Sequence, residues 1–173
     1  MKKLLATVAT AAALLAGGNA FAQSADTSNA TATTSVTIIR PLTITKTSDL
    51  AFGRIVRPRT GTGTVTLANT GNSVVAAAGA VALASTTSRA IFTVAGEGAQ
   101  ALTTTIAPSV SLTSGTNTLS VTLLPDFTST VTLDGALAAA GAKTLNVGGS
   151  FNLLDTQASG AYTGTFQVTV AYQ

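Results

Sequence analysis

The sequence predicts an all-β protein, and more narrowly a β-sandwich. Short runs of alternating apolar and polar residues recur along the chain, and turn-forming residues separate them. This spacing, about 8–12 residues from one run to the next, indicates about nine or ten short strands and is typical of a sandwich. Threonine is abundant in these runs, and β-branched side chains pack well on a pleated sheet. No fixed repeat period is present, which argues against a β-solenoid.

The N-terminus predicts export. Lys2 and Lys3 precede an apolar run at residues 4–16, and small residues at Ala20 and Ala22 flank Phe21. This is the arrangement of a secretory signal peptide that is cleaved after Ala22. The apolar run is shorter than the ~20 residues that cross a bilayer, so we expect no stable membrane span. The predicted organisation is a signal peptide at 1–22, a flexible leader at 23–31 and a single β-sandwich domain at 32–173.

The first alternating run places Thr34, Val36 and Ile38 on one face, and Pro41 interrupts it because proline has no N–H to donate to a sheet. Leu42 and Ile44 resume the pattern. A short strand with a bend at Gly53 follows at residues 50–55. Further strands are predicted at 64–67, 89–94, 102–106, 110–112, 119–123, 127–133, 145–147 and 151–154, with a Gly148-Gly149 turn between the last two. The alanine-rich stretch 73–84 favours a bent strand, and 136–142 stays ambiguous between helix and strand.

The last fourteen residues, 160–173, carry the clearest alternation in the chain and predict one long strand. Its apolar face holds Tyr162, Phe166, Val168, Val170 and Tyr172. A strand at the end of a chain needs a partner, and an edge strand with one apolar face favours pairing with another chain.

Composition excludes several functions. The chain has nine basic and six acidic residues, and loss of Lys2 and Lys3 with the signal peptide leaves seven against six. A nearly neutral chain gives no reason to expect nucleic-acid binding, and it favours association. Cysteine is absent, so no disulfide stabilises the fold, and histidine is absent as well.

Little in the sequence predicts catalysis. Without histidine or cysteine, the usual activating bases and thiol nucleophiles are missing. The acidic residues are scattered singly, mostly in turns beside glycine or proline, where aspartate is common for local hydrogen bonding. The same scatter argues against a calcium loop. We therefore expect no enzyme activity, no cofactor and no metal.

Arg54, Arg57 and Arg59 form a small basic cluster in a predicted turn. Two roles are open for it. The cluster could contact an anionic partner such as a surface polysaccharide, or it could be a solvated turn that keeps a strand end soluble. The second role is favoured, since charged residues at strand edges commonly serve that purpose.

The C-terminal strand resembles the last strand of bacterial chaperone–usher pilus subunits, which have an aromatic penultimate residue and a glycine fourteen residues from the end. Tyr172 is penultimate here, and Gly160 is fourteenth from the end. The segment LAFG at 50–53 is similar to an early strand of the same subunits. Together with PLTITK at 41–46 and GAYTG at 160–164, it also looks like the secreted bacterial domain-of-unknown-function family numbered 4402.

The pilin resemblance implies an immunoglobulin-like sandwich that lacks its last strand and is completed by a donor strand. The implied partners are identical or related subunits, a periplasmic chaperone and an outer-membrane usher, and the implied location is a cell-surface fimbria that serves in adhesion. Contact by strand addition uses backbone hydrogen bonds for affinity and alternate side chains for specificity. The assembly edge implied in this chain is Gly160, Tyr162, Phe166, Val168, Val170 and Tyr172. The implied donor segment, residues 30–38, would present Ala30, Ala32, Thr34, Val36 and Ile38.

An alternative is a self-complete secreted binding module for a glycan or for ice. Thr163, Thr165 and Thr169 would supply a row of hydroxyl groups on the polar face of the last strand. A solvated strand face produces the same pattern, and this simpler explanation of the row is favoured.

Overall fold

The structure, a computed structural model, describes residues 28–173. The predicted signal peptide and residues 23–27 of the predicted leader lie outside this range. Within it the chain forms strands, turns and irregular segments, with no helix, and every strand pair is antiparallel. The prediction of an all-β sandwich is therefore confirmed. Residues 37–173 form one compact unit, and residues 28–36 belong to a separate one.

The compact unit contains twelve strands. In chain order they are β1 (Thr43–Ser48), β2 (Arg54–Val56), β3 (Thr62–Leu67), β4 (Val74–Ala77), β5 (Val81–Leu83), β6 (Ala90–Glu97), β7 (Ala101–Ile106), β8 (Ser109–Ser114), β9 (Asn117–Pro125), β10 (Thr130–Thr132), β11 (Ala140–Leu154) and β12 (Val168–Tyr172). The alanine-rich stretch 73–84 is extended, as its sequence favours, but a turn at Ala78-Gly79 divides it into two strands, β4 and β5, which belong to different sheets. The ambiguous stretch 136–142 is a turn that leads into β11.

The strands form two main sheets and one small one. The larger sheet has seven strands, in the order β1-β6-β11-β3-β4 with β9 and β8 attached, and the smaller has the order β10-β7-β12. The long central strand β11 pairs with β6 through its first half, with β3 through its second half and with β9 across its middle. β2 and β5 pair only with each other.

The prediction of a turn at Gly148-Gly149 is wrong, because β11 runs through both residues without interruption. Their lack of side chains serves close packing instead. A Cβ on Gly149 would lie 2.9 Å from the ring of Phe52, and one on Gly148 would collide with the carbonyl oxygen of Leu67. Glycine is common in strands at such points of close approach.

Two buried clusters fill the sandwich. The first joins the two main sheets and contains Val94 and Leu145 from the larger sheet and Leu102 and Val168 from the smaller, with Leu133. The second lies further along β6 and β11, and its core is Val65, Ala80, Ala90, Val121, Leu123, Val147, Phe151 and Leu153. We call the part of the sandwich around the first cluster the closed end and the part around the second the open end.

The prediction of one long C-terminal strand is also wrong, because β12 covers only Val168–Tyr172. The partner strand sets this limit. Val168 pairs with Ile106, the last residue of β7, and the chain then turns through Pro108 into β8 of the other sheet. Residues 158–167 alternate like a strand, but β7 offers them no further backbone to pair with.

Residues 28–42 contain no strand, although the alternation at Thr34, Val36 and Ile38 predicts one. Every residue from 28 to 41 is exposed. Val36 is 83% exposed and Ile38 is 87% exposed. These apolar side chains therefore have the pattern of a strand without a sheet to cover them.

Candidate functional site

A groove of about 870 Å³ opens over the second buried cluster. Two irregular segments border it. We call residues 49–56, which follow β1 and include β2, the first wall, and residues 158–166, which precede β12, the second wall. The floor between them consists mainly of half-buried apolar side chains, namely Phe92, Val110, Leu112 and Leu119, together with the buried Ala90, Val121, Phe151 and Leu153. Unlike the closed end, this part of the core lacks a full cover.

Each wall makes one isolated β-bridge to the sandwich. Ala51 of the first wall exchanges two backbone hydrogen bonds with Ser88, at 2.8 and 3.0 Å. Thr163 of the second wall does the same with Thr113 of β8, also at 2.8 and 3.0 Å. Within residues 28–173, no other residue of 158–166 bonds backbone to backbone. Most backbone N–H and C=O groups of the second wall are thus left for water or for a further strand.

The two walls run in opposite directions. At one end of the groove, Lys46 is level with Phe92 in the β1–β6 register, and the ring of Phe92 packs edge-on against Phe166, with centroids 6.1 Å apart. At the other end, the guanidinium of Arg57 donates a 2.6 Å hydrogen bond to the carbonyl of Gln157. A single strand that entered the groove would therefore run parallel to one wall and antiparallel to the other.

The floor is packed around aromatic rings. Phe52 of the first wall meets Phe151 of β11 edge to face, with centroids 5.0 Å apart and planes at 84°. Such pairs contribute about 0.5–1.5 kcal/mol beyond the area they bury. Phe52 is part of the LAFG segment, and its ring fixes the first wall to the floor.

The residues of the implied assembly edge divide between the two ends of the sandwich. Gly160, Tyr162 and Phe166 line the groove. Val168 is buried in the closed end, and Val170 and Tyr172 pack against the same cluster. A Cβ on Gly160 would collide with the side chain of Ser114, so a glycine lets the second wall approach the β8–β9 turn. The implied donor residues, Ala30, Ala32, Thr34, Val36 and Ile38, lie in the exposed segment outside any strand.

The closed end holds a polar network around Glu97, which is 4% exposed. Its carboxylate accepts hydrogen bonds from the Arg40 backbone (3.3 Å), the Arg40 guanidinium (3.0 Å) and the Ala138 backbone (2.5 Å). The Tyr172 hydroxyl accepts a 2.7 Å bond from the Glu97 backbone and donates a 3.0 Å bond to the Arg40 carbonyl. The network therefore ties the chain just before β1 to the end of β12.

Glu97 is ionised more readily here than in an unfolded chain. Burial on its own raises the pKa of this carboxyl, but the hydrogen bonds from Arg40 and Ala138, together with the Arg40 charge, outweigh burial and hold the pKa below its ordinary value. The sequence reasoning missed this role, since the acidic residues were expected to lie singly in turns and to serve local hydrogen bonding. A single buried acid among glycines carries no sequence signal of its partners, which come from positions 40, 138 and 172.

The structure also separates the members of the predicted arginine cluster and of the predicted threonine row. Arg57 bridges the walls, whereas the side chains of Arg54 and Arg59 make no hydrogen bond to residues 28–173. The threonine row is divided, because Thr169 lies in β12 while Thr163 and Thr165 lie in the irregular second wall. The floor residues of β8 and β9 were predicted as strand residues, but nothing local in their sequence indicates that they face a groove.

Across residues 28–173, acidic side chains nowhere gather in a group of three that could hold a metal ion. No helix in the same range is long and apolar enough to cross a membrane.

Comparisons with known proteins place the chain in a family. No curated protein and no solved structure gave a significant match. The family model described as "Domain of unknown function (DUF4402)" matches residues 42–172. The match covers both walls, the floor of the groove and the Glu97 network from β6 to Tyr172. On this match, which spans well over half of its length, the chain belongs to the DUF4402 family.

Proposed function

We propose that this chain is an exported structural subunit of a fimbria-like filament on the cell surface, in which each subunit donates a strand to the next. The observation that carries the proposal is the groove, where two antiparallel walls border an apolar floor and the second wall pairs its backbone only at Thr163. Proteins that bind peptides by strand addition present this combination of free backbone and pockets for alternate side chains.

The donor segment matches the groove in length and pattern. Residues 30–38 make nine residues, the second wall at 158–166 also makes nine, and the first wall at 49–56 makes eight. Val36 and Ile38 are the apolar side chains that the segment leaves exposed. Burying an aliphatic side chain of this size contributes about 1.5–3 kcal/mol, and the unpaired backbone of the walls adds hydrogen bonds.

The tether of the donor segment supports donation between copies. The Arg40 backbone is held at Glu97, at the far end of β6 from the groove. Phe92, where the groove begins, lies five residues away along β6, or about 17 Å. Ile38 and Val36 are two and four residues from Arg40 and reach at most about 7 and 14 Å. Each chain therefore offers its donor to a second copy.

A donor segment that is attached through Arg40 at the closed end and is accepted by the groove of a second copy gives a head-to-tail contact. Contacts of this kind extend into filaments when the rotation between successive copies does not close a ring. Before assembly the groove would be an exposed apolar surface, which gives a reason for a periplasmic chaperone. The pilin resemblance implies an outer-membrane usher as a further partner. The signal-peptide pattern at residues 1–22 fits export to that compartment.

The test replaces the apolar residues of the donor in the chain from residue 23 onward. Val36→Asp with Ile38→Asp should abolish polymers and leave monomers, since a charge in the apolar groove is costly. Val75→Asp is the matched control, because Val75 is 66% exposed and lies outside the donor segment. Polymers are measured by size-exclusion chromatography, electron microscopy and heat-resistant ladders on gels.

Normal polymers from the Val36→Asp, Ile38→Asp chain would overturn the proposal. So would an unmodified chain that stays monomeric and well folded without a chaperone, and that result would favour the self-complete binding module for a glycan or ice.

A further inference from the structure

Arg57 is the one arginine of the 54–59 cluster whose side chain crosses the groove. Its Nη1 donates to the carbonyl of Gln157 at 2.6 Å, and the two residues are 100 positions apart in the chain. One lies directly after the first wall and the other directly before the second. The bond therefore joins the two walls at the end of the groove that is farthest from β1.

The side chain of Gln157 forms further hydrogen bonds, one of them to the second wall. Its side-chain amide donates to the carbonyl of Thr118 at 3.1 Å and to the hydroxyl of Tyr162 at 2.7 Å. The Tyr162 hydroxyl in turn donates to the carbonyl of Ala158 at 2.8 Å. The half of the second wall before Thr163, which has no backbone pairing within residues 28–173, is held in place by this chain of bonds.

The first wall is weakly held at the same end. β2 has three residues and pairs only with the three residues of β5, and isolated pairs of this size are marginally stable. Gly53, directly before β2, has a φ of +71°, a conformation that favours glycine. The Arg57–Gln157 bond thus connects two segments that have few other contacts to fix their separation.

From this geometry we propose that Arg57 is a positioning residue that holds the groove in its strand-accepting shape before a strand arrives. The inference rests on the proposed function, and its site is the same groove. A donor strand then binds walls that are already ordered, and the cost of ordering them does not reduce its affinity. Without Arg57 only a fraction of molecules would have the competent shape, and the apparent affinity would fall by that fraction.

The experiment uses the full chain from residue 23 with Val36→Asp and Ile38→Asp, which leaves the groove unfilled. The probe is a synthetic peptide of residues 30–38, and its association and dissociation rates are measured by fluorescence anisotropy. Adding Arg57→Ala should weaken peptide binding about fivefold to twentyfold through a slower association rate, with little change in dissociation. Amide hydrogen exchange at residues 158–162 should also accelerate in the unbound chain. Arg57→Lys should recover part of the loss, and Arg59→Ala, in the same turn, should change neither rate.

Equal association rates with and without Arg57 would overturn the inference while leaving the proposed function intact. A faster dissociation rate alone would also overturn it, because Arg57 would then act on the bound strand. Failure of the peptide to bind the chain that retains Arg57 would instead contradict the proposed function.

Discussion

The two ends of the sandwich share strands β6 and β11, yet one end is covered and the other is open. At the closed end, β12 pairs with β7, and Tyr172, Glu97 and Arg40 join the strands with hydrogen bonds. At the open end, the second wall continues the apolar alternation of β12 without a partner strand. The difference lies in backbone pairing and not in hydrophobicity. An apolar pattern completes a core only where a neighbouring backbone is present to receive it.

The largest expected difference between the ends concerns core leucines. Leu102 is completely buried at the closed end, and Leu102→Ala should lower the free energy of unfolding by about 3–5 kcal/mol. Leu119 is half-buried in the groove floor, and Leu119→Ala should cost about 1–2 kcal/mol in the unfilled chain, because less contact is lost. Urea unfolding of the Val36→Asp, Ile38→Asp chain measures both losses.

The same two leucine variants also test whether the peptide binds in the groove. Saturating peptide of residues 30–38 should enlarge the loss at Leu119 and leave the loss at Leu102 unchanged. Equal losses at the two leucines without peptide would contradict the difference between the ends.

A smaller effect on the free energy of unfolding should depend on pH, and it should come from Glu97 at the closed end. The folded pKa of Glu97 is held below its ordinary value of 4.5, so its contribution to stability is complete above that value. As the pH falls below 4.5, the unfolded chain takes up the proton first, and the contribution is lost as the pH passes the folded pKa. Glu97→Gln should therefore flatten the acid side of the stability profile. The measurement is a series of urea midpoints between about pH 3 and pH 6, a range that brackets the ordinary carboxyl pKa.

Asp134→Asn is the control for Glu97→Gln. The side chain of Asp134 is 74% exposed and pairs with Lys143 at 3.3 Å, so its replacement should leave the profile nearly unchanged. A profile of the Glu97→Gln chain that follows the unmodified one through the acid range would refute the role given to Glu97.

Much of the fold could be predicted from local sequence. Alternation and turn residues identify most of the strands, because side-chain direction alternates along every strand whatever its partner. The hairpin between β8 and β9 follows from SGTN at 114–117, where Gly115 has a φ of +59°. The prediction of a turn at Gly148-Gly149 is wrong because glycine serves close packing as well as turns. Only the neighbouring strands determine which of these two roles a glycine has.

The candidate site was less predictable for a related reason. The alternation that predicts a strand over residues 160–173 is real, since Tyr162, Phe166, Val168, Val170 and Tyr172 are all at least half-buried. Its division into a groove wall and a paired strand depends on where β7 ends, which is a property of another part of the chain. The hydrogen bond from Arg57 to Gln157 likewise joins residues that are 100 positions apart in the chain. The alternation at residues 34–38 is a strand pattern that the structure leaves exposed and outside any strand, and the proposed donor segment rests on it.

The most direct test of strand donation is amide hydrogen exchange on the Val36→Asp, Ile38→Asp chain with and without the peptide of residues 30–38. Binding in the groove should slow exchange along residues 158–166 and 49–53, where backbone groups gain partners, and should leave the exchange of β7 and β12 unchanged. A peptide that does not bind, or that protects β12 instead of the two walls, would contradict the account.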